Sequence, residues 1–200
     1  KLLADLHAME IAYFESDKNE LEITRPVSLW ELENRLQTDD DGTVQEPLSL
    51  LQGSGSCIFT IPAKLFAGDF ANQYFRRIRE VRIEIVAPGY TGRYLNAQLS
   101  LIENKLDLKE TGKTIGNRIG TQTMATSTAH KEAGKFDFRF RTDKYLPFEG
   151  AGAISTWSLT INGFEKGVSP NAYLDKIDDV VVHICYTARM GKNKSQGGAN

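Results

Sequence analysis

Alternation of apolar and polar residues is the feature that most constrains this chain, and residues 148–161 show it best. After a glycine-rich turn, the segment runs Trp157, Ser158, Leu159, Thr160, Ile161. A period of two predicts a β-strand with one buried face, so we expect Trp157 to point inward. Gly150 and Gly152 permit a positive φ angle or a close approach of neighbouring backbone in the turn.

The same pattern recurs along the chain. Alternating segments occupy residues 20–25, 57–61, 78–85, 95–101, 136–140 and 177–186. Pro26 limits the first strand to a sheet edge or a strand end, and the pattern slips between Ile78 and Val81. Short strands separated by Gly and Pro turns, without helices between them, predict a mainly β fold, an antiparallel β-sandwich.

The two ends of the chain differ from this strand-rich middle. Leu2, Leu6, Met9 and Tyr13 follow the spacing of an amphipathic helix. We therefore predict a helix at 1–18 that continues from a missing upstream region, a sandwich domain at 19–190 and a polar tail at 191–200. The polar segment 109–134 has few large apolar residues, and we expect a long mobile loop there with room for one weak strand.

Composition excludes several classes of protein. The chain has 200 residues with 40% hydrophobic content, enough for one sizeable core. Its net charge of −2 argues against a nucleic-acid-binding domain, which is usually strongly basic. No stretch reaches the length of about 20 apolar residues that a membrane span needs.

The sequence contains no pattern that is typical of a metal or cofactor site. The histidines, His7, His130 and His183, lack the short-spaced pairs typical of zinc ligands. Cys57 and Cys185 fall in strand-like segments, and we expect two small buried hydrophobic side chains; whether they pair is open. The acidic run at 39–42 fails the calcium-loop pattern at the flanking ligand positions. We expect no metal and no cofactor.

Catalytic motifs are also missing from the sequence. No nucleophile elbow, Cys–His set or phosphate-binding loop is present. Glu149 is a candidate for one of the two carboxylates of a glycoside hydrolase, although bonding within its own turn is the simpler role. We expect a protein that is not an enzyme, with a glycan hydrolase as a distant alternative.

Aromatic residues in turns suggest a binding surface. Tyr90, Tyr94, Tyr145 and Phe148 lie in or beside the loops at 88–94 and 145–149. Such residues often contact a partner or a sugar, but they can also fold back and cap the sandwich. A carbohydrate-binding β-sandwich therefore stays open as an alternative. The predicted partner-binding set is Tyr90, Thr91, Arg93, Tyr94, Tyr145, Phe148 and Glu149.

The ordered set of blocks resembles a known family. The blocks are 76–86, the loop Pro88–Gly92, the strand 95–101, the turn and strand Tyr145–Trp157, and Asp178–Arg189. Together with the N-terminal helix, they resemble the C-terminal TcB-binding domain of the A component (TcA) of Tc toxin complexes.

The resemblance implies a docking role. In that family the A component is a large secreted homopentamer that forms a translocation channel, and its C-terminal domains receive the TcB–TcC component. The resemblance thus implies a non-enzymatic domain that binds TcB–TcC, without nucleic acid and without direct membrane contact of its own.

Overall fold

A computed structural model describes residues 20–67, 73–108, 113–116, 123–140, 146–162 and 171–190. The predicted helix at 1–18, the tail at 191–200 and the site residue Tyr145 lie outside these residues. The domain bounds therefore stay predictions.

The described residues form nine strands and short helices. The strands are β1 (Glu20–Ser28), β2 (Ser56–Ile61), β3 (Gln73–Val86), β4 (Tyr94–Leu108), β5 (Lys113–Gly116), β6 (Thr123–Glu132), β7 (Lys135–Arg139), β8 (Ile154–Asn162) and β9 (Asp179–Met190). The helices are α1 (Leu29–Glu31), a π-helical turn (Leu32–Leu36), α2 (Pro47–Ser54), α3 (Ala63–Ala67) and α4 (Asn171–Leu174). No helix in the described part of the chain is long and apolar enough to cross a membrane.

The strands are antiparallel and follow one path, β1-β9-β3-β7-β6-β4-β8-β2, with β5 paired to β4. The path narrows at the β6–β7 hairpin, where only Lys131–Phe136 and Glu132–Lys135 are paired among the described residues. The sheet therefore curls into two halves, β1-β9-β3-β7 and β6-β4-β8-β2. Inward residues of both halves belong to one hydrophobic cluster, which confirms the predicted mainly β sandwich class.

Alternation explains the core. In β8 the residues Trp157, Leu159 and Ile161 are at most 2% exposed, whereas Ser158 and Thr160 are half-buried on the other face. The prediction that Trp157 points inward is confirmed. The predicted slip in β3 is a β-bulge, since the register with β9 shifts between Ile78 and Glu80.

Pro26 lies on an edge strand, as predicted. β1 pairs with β9 on one side and ends the strand path on the other. At the end of β1, Ser28 Oγ donates to the Asp179 carboxylate at 2.6 Å and accepts the N–H of Glu31 at 3.1 Å. Asp179 and Ser28 thus fix the start of α1 against β9.

The polar segment 109–134 holds more strand structure than the one weak strand that we predicted. Its described residues contain all of β5 and all of the ten-residue β6, which pairs with β4 from Tyr94 to Leu101. Its inward positions are small, as at Ala125 and Ala129, so large apolar residues do not mark it. Backbone hydrogen bonds to β4 hold β6 in the sheet, although its side-chain pattern does not predict a strand.

The turn before β8 joins the two halves. The Ile78 N–H donates to the Ala151 carbonyl at 2.7 Å, and the Gly152 N–H donates to Asn104 Oδ1 at 2.9 Å. Gly150 has a φ angle of 84°, and a Cβ on Gly152 would overlap the Lys105 carbonyl oxygen. Both predicted reasons for glycine in this turn are confirmed.

Candidate partner-binding surface

The loop between β3 and β4 is anchored in the core by Tyr90. Its side chain is 2% exposed and packs edge-on against Phe136, with ring centroids 5.4 Å apart. It also meets Tyr173 at 5.0 Å, and its hydroxyl donates to the Tyr94 carbonyl at 3.3 Å. Tyr90 therefore caps the sandwich, which is one of the two roles that the sequence left open, and its ring is not an exposed contact. The ring points inward because a buried apolar slot between β7 and α4 accepts it.

Lys131 holds the same loop from the β6–β7 hairpin. Its ammonium group donates to the Pro88 carbonyl at 3.1 Å and also to the Tyr90 carbonyl, and its backbone N–H donates to the Arg93 carbonyl at 2.9 Å. Sequence patterns could not identify Lys131, because the carbonyls that it binds lie 43 and 41 positions away. Lys131 thus ties the loop to the hairpin at three carbonyls, those of Pro88, Tyr90 and Arg93.

Gly92 completes this packing. A Cβ on Gly92 would lie 2.5 Å from the Tyr90 ring, a separation that atoms do not tolerate. Glycine at this position allows the ring to lie directly under the loop backbone.

The exposed members of the predicted set on this loop are Thr91, Arg93 and Tyr94. Tyr94 is 49% exposed and lies opposite His130 across the β4–β6 pair. Arg93 makes no ion pair with the residues that the structure describes. An arginine with free donors beside an exposed tyrosine is the composition found at the centre of many protein interfaces.

The second predicted loop lies mostly inward. Phe148 is 3% exposed and packs edge-on against Trp157, with ring centroids 4.9 Å apart. Glu149 is exposed, and its carboxylate lies 3.6 Å from the Arg79 guanidinium. Phe148 thus takes the capping role that the sequence left open for it, and Glu149 is the exposed member of this loop among the described residues.

The two loops do not form one surface. The Gly150 N–H donates to the Ile78 carbonyl, whereas the other loop follows Val86 at the far end of β3. At about 3.3 Å per residue, this run of β3 spans about 26 Å. Of the predicted site, the structure therefore brings together Thr91, Arg93 and Tyr94 and leaves Glu149 apart.

A pocket of about 210 Å³ lies beside the acidic loop and is lined by Asp39, Asp40, Asp41 and Glu103 among others. The carboxylates of Asp39 and Asp40 already accept backbone N–H groups, from Thr43 at 2.8 Å and from Ala63 at 2.7 Å. Among the described residues, no group of three or more His, Cys, Asp or Glu side chains is arranged to hold a metal ion.

A second pocket, of about 320 Å³, lies on the outer face of β1-β9-β3-β7 and includes His183 and Cys185. Cys185 is half-buried and donates to Glu22 at 3.3 Å, so the prediction of a fully buried residue was wrong for this cysteine and right for Cys57. Both cysteines are free. Desolvation raises the pKa of the Cys185 thiol and, together with Arg82, lowers the pKa of His183. This pair therefore favours a neutral thiol and a neutral imidazole, a poor combination for nucleophilic chemistry.

The chain as a whole is similar to known proteins. A family model described as "Tc toxin complex TcA C-terminal TcB-binding domain" matches residues 1–188. The "Toxin subunit YenA2" of Yersinia entomophaga is 28% identical, and the match covers 96% of this chain and 14% of that protein. A structure titled "Cryo-EM structure of Yersinia pseudotuberculosis TcaA-TcaB" aligns with a TM-score of 0.47 and 19% identity, over 94% of this chain and 11% of that one. The chain thus spans a small part of these larger proteins.

Proposed function

The chain belongs to the family of TcA C-terminal TcB-binding domains of Tc toxin complexes, and from that membership we propose that it docks the TcB–TcC component onto an A component. The family match over residues 1–188 carries this proposal. Thr91, Arg93 and Tyr94 contribute to the contact on their fixed loop. Glu149 is a separate and more distant candidate.

The wider assembly is part of the same proposal. The full-length A component is a secreted homopentamer whose channel receives the toxic cargo, and the present domain acts at the end that meets TcB. Its own role is binding without catalysis. The domain makes no direct membrane contact.

The rigidity of the 88–94 loop supports a docking role. A loop that is already ordered loses little conformational entropy when a partner binds. Tyr90, Gly92 and Lys131 hold the loop through contacts on its inner side. The side chains of Thr91, Arg93 and Tyr94 are exposed and available to a partner.

Binding to an immobilised TcB–TcC component by biolayer interferometry tests the proposal. Arg93→Ala and Tyr94→Ala should each weaken binding by about 1–3 kcal/mol with unchanged melting. Arg139→Ala is the control, because Arg139 is an exposed arginine on a different face and should bind as wild type does.

Wild-type protein that is folded and fails to bind TcB–TcC would refute the docking function. If the same protein bound oligosaccharides instead, the carbohydrate-binding alternative would replace it. Wild-type binding with unaffected Arg93→Ala and Tyr94→Ala variants would keep the function and reject this loop as the contact.

A further inference from the structure

The outer faces of the two sheet halves differ in charge. The face of β1-β9-β3-β7 carries Arg82, Glu84, Lys135, Asp137 and Arg139, linked by ion pairs between Lys135 and Glu84 at 2.8 Å and between Arg82 and Asp137 at 3.6 Å. We refer to it as the charged face. Its charges need water or their present partners around them.

The opposite half presents what we term the neutral face. It consists of the even-numbered residues of 56–60, 94–100, 124–130 and 156–162. They alternate with buried residues along β2, β4 and β8, and with the small residues Ala125, Ser127 and Ala129 along β6. None of these described residues is Asp, Glu, Lys or Arg. Most are Ser, Thr, Asn or Gln. Ordinary solvent-exposed sheet faces carry charged side chains throughout, whereas here the charges of these strands lie at the ends of the face, as Glu103 does opposite Thr156 and Glu132 does two residues after His130. The absence of charge from the middle of four adjacent strands calls for a reason.

Polar groups of the neutral face already bond one another across strands. Ser56 and Thr160 hydroxyls lie 2.9 Å apart, Thr60 and Thr156 hydroxyls 3.1 Å apart, and Thr128 Oγ1 donates to Asn96 Oδ1 at 2.6 Å. Groups that keep these bonds lose little when water leaves the face. Short side chains also lose less rotamer freedom on contact than Lys or Glu would.

An apolar pair lies in the same face. Ile58 is 57% exposed and Met124 is 56% exposed. The register places Ile58, Ser158, Ser100 and Met124 in one row across β2, β8, β4 and β6. Two exposed apolar side chains at the ends of a row of serines give a shallow surface that loses apolar exposure when it is covered.

We propose that the neutral face is the main docking surface of this domain and that it receives an uncharged protein surface of the TcB component. This inference rests on the proposed function. Charge complementarity selects the partner chemistry, since a charged group placed against the centre of this face would lose water without gaining a counter-ion. Charged neighbours border the face at one end, where Thr60 and Thr156 share a pocket with Glu103 and the acidic loop. Interface centres are depleted of charge in the same way.

The size of the face argues against a second copy of this chain as the occupant. Four strands about 4.8 Å apart and at most about 23 Å long give on the order of 450 Å². Pairing two such faces buries about 900 Å², below the roughly 2,000 Å² and more of stable homodimers. A larger partner can extend beyond the face onto the 88–94 loop, because Tyr94 and His130 form the row that adjoins this loop.

Charge insertion tests the inference with a matched control. Thr126 on the neutral face and Thr24 on the charged face are both exposed threonines in strands. Thr126→Lys and Thr126→Glu should each weaken binding to immobilised TcB–TcC at least tenfold, because either sign would be buried without a partner. Thr24→Lys and Thr24→Glu should stay within about threefold of wild type. Circular dichroism melting checks that all four variants are folded.

Each outcome separates the inference from the function. Wild-type binding with tolerance of both Thr126 variants would overturn the docking surface and leave the function intact. If one charge strengthened binding, the uncharged partner surface would be wrong. Weaker binding by the Thr24 variants alone would assign docking to the charged face. A concentration-dependent dimer in sedimentation, disrupted by Thr126→Lys, would make a second copy the occupant.

Discussion

At the scale of single residues, large aromatic side chains fill much of the hydrophobic core. Trp157 lies in a strand and Tyr90 in a loop, yet both side chains are at most 2% exposed and contact other rings edge-on. Such pairs add to the free energy of burial because the edge of one ring is attracted to the face of the other.

The two tryptophans provide a first prediction. Trp157→Ala should lower the free energy of unfolding by about 3–5 kcal/mol, because it removes a buried ring and the bond from its Nε1 to Ser155 Oγ at 2.8 Å. Trp30, which is 46% exposed, is the control. Trp30→Ala should cost less than about 1 kcal/mol in urea denaturation. A Trp157→Ala protein with wild-type stability and impaired partner binding would make Trp157 a surface contact.

Two substitutions of Tyr90 provide a second prediction, on whether its ring stabilises the fold or contacts a partner. Tyr90→Ala should destabilise the fold by about 3–5 kcal/mol. Tyr90→Phe keeps the ring and removes the hydroxyl that donates to the Tyr94 carbonyl, so it should cost about 1 kcal/mol. Thermal melting followed by circular dichroism measures both. If Tyr90→Ala melted like the wild type and lost only binding, the ring would act as an exposed anchor.

His183 provides a third prediction, on pH. Desolvation beside Arg82 lowers its pKa below the ordinary 6.5, despite opposing contributions from Glu84 and Asp137. The unfolded chain then binds the proton more readily than the folded one, so stability falls as the pH drops through 6.5 toward the folded pKa. His183→Gln should lose less melting temperature between pH 7 and pH 5 than wild type. Parallel melting curves for the two proteins would contradict this.

At the scale of elements, the β6–β7 hairpin has two roles. It connects the two sheet halves, because β7 belongs to one and β6 to the other. Through Lys131 it also holds the loop before β4. The hairpin thus holds a surface loop, residues 88–94, that is about 40 positions away in the sequence.

Lys131→Met provides the fourth prediction. Amides in 88–94 should lose protection in hydrogen exchange, and partner affinity should fall about 2- to 10-fold, since the loop must then be ordered on binding. Lys135→Met on the same hairpin removes only a surface ion pair with Glu84 and should change neither quantity. Equal loop protection in both variants would show that the ammonium group is not what holds the loop.

The whole molecule has one core in spite of its two faces. Residues of β3, β7 and β9 and residues of β2, β4 and β8 belong to the same hydrophobic cluster. Neither half can therefore bury its inner face when the other is lost.

Cooperative unfolding is the fifth prediction. In a Trp30→Phe variant, tryptophan fluorescence reports Trp157 in the second half. This signal and far-ultraviolet circular dichroism, which reports all strands, should give one coincident urea transition. Two separated transitions would mean that the halves are independent domains joined by the hairpin.

Local pattern alone determined much of this protein. The alternation in β2, β3, β7, β8 and β9, the limits on Pro26, the slip after Ile78 and the roles of the glycines at 150 and 152 were all predicted. Each follows from a residue and its neighbours in sequence, because strand period, proline chemistry and glycine freedom are local properties. The blocks that carry the family resemblance are local in the same sense.

Only the tertiary structure decided the surface. Whether Tyr90 and Phe148 point in or out depends on slots formed by β7, β8 and α4, and the role of Lys131 depends on carbonyls more than forty positions away. The small residues of β6 become a strand because β4 offers a backbone ladder. The neutral face exists only when four strands lie side by side. Cross-strand neighbours are set by the fold, and the sequence of a single strand does not contain them.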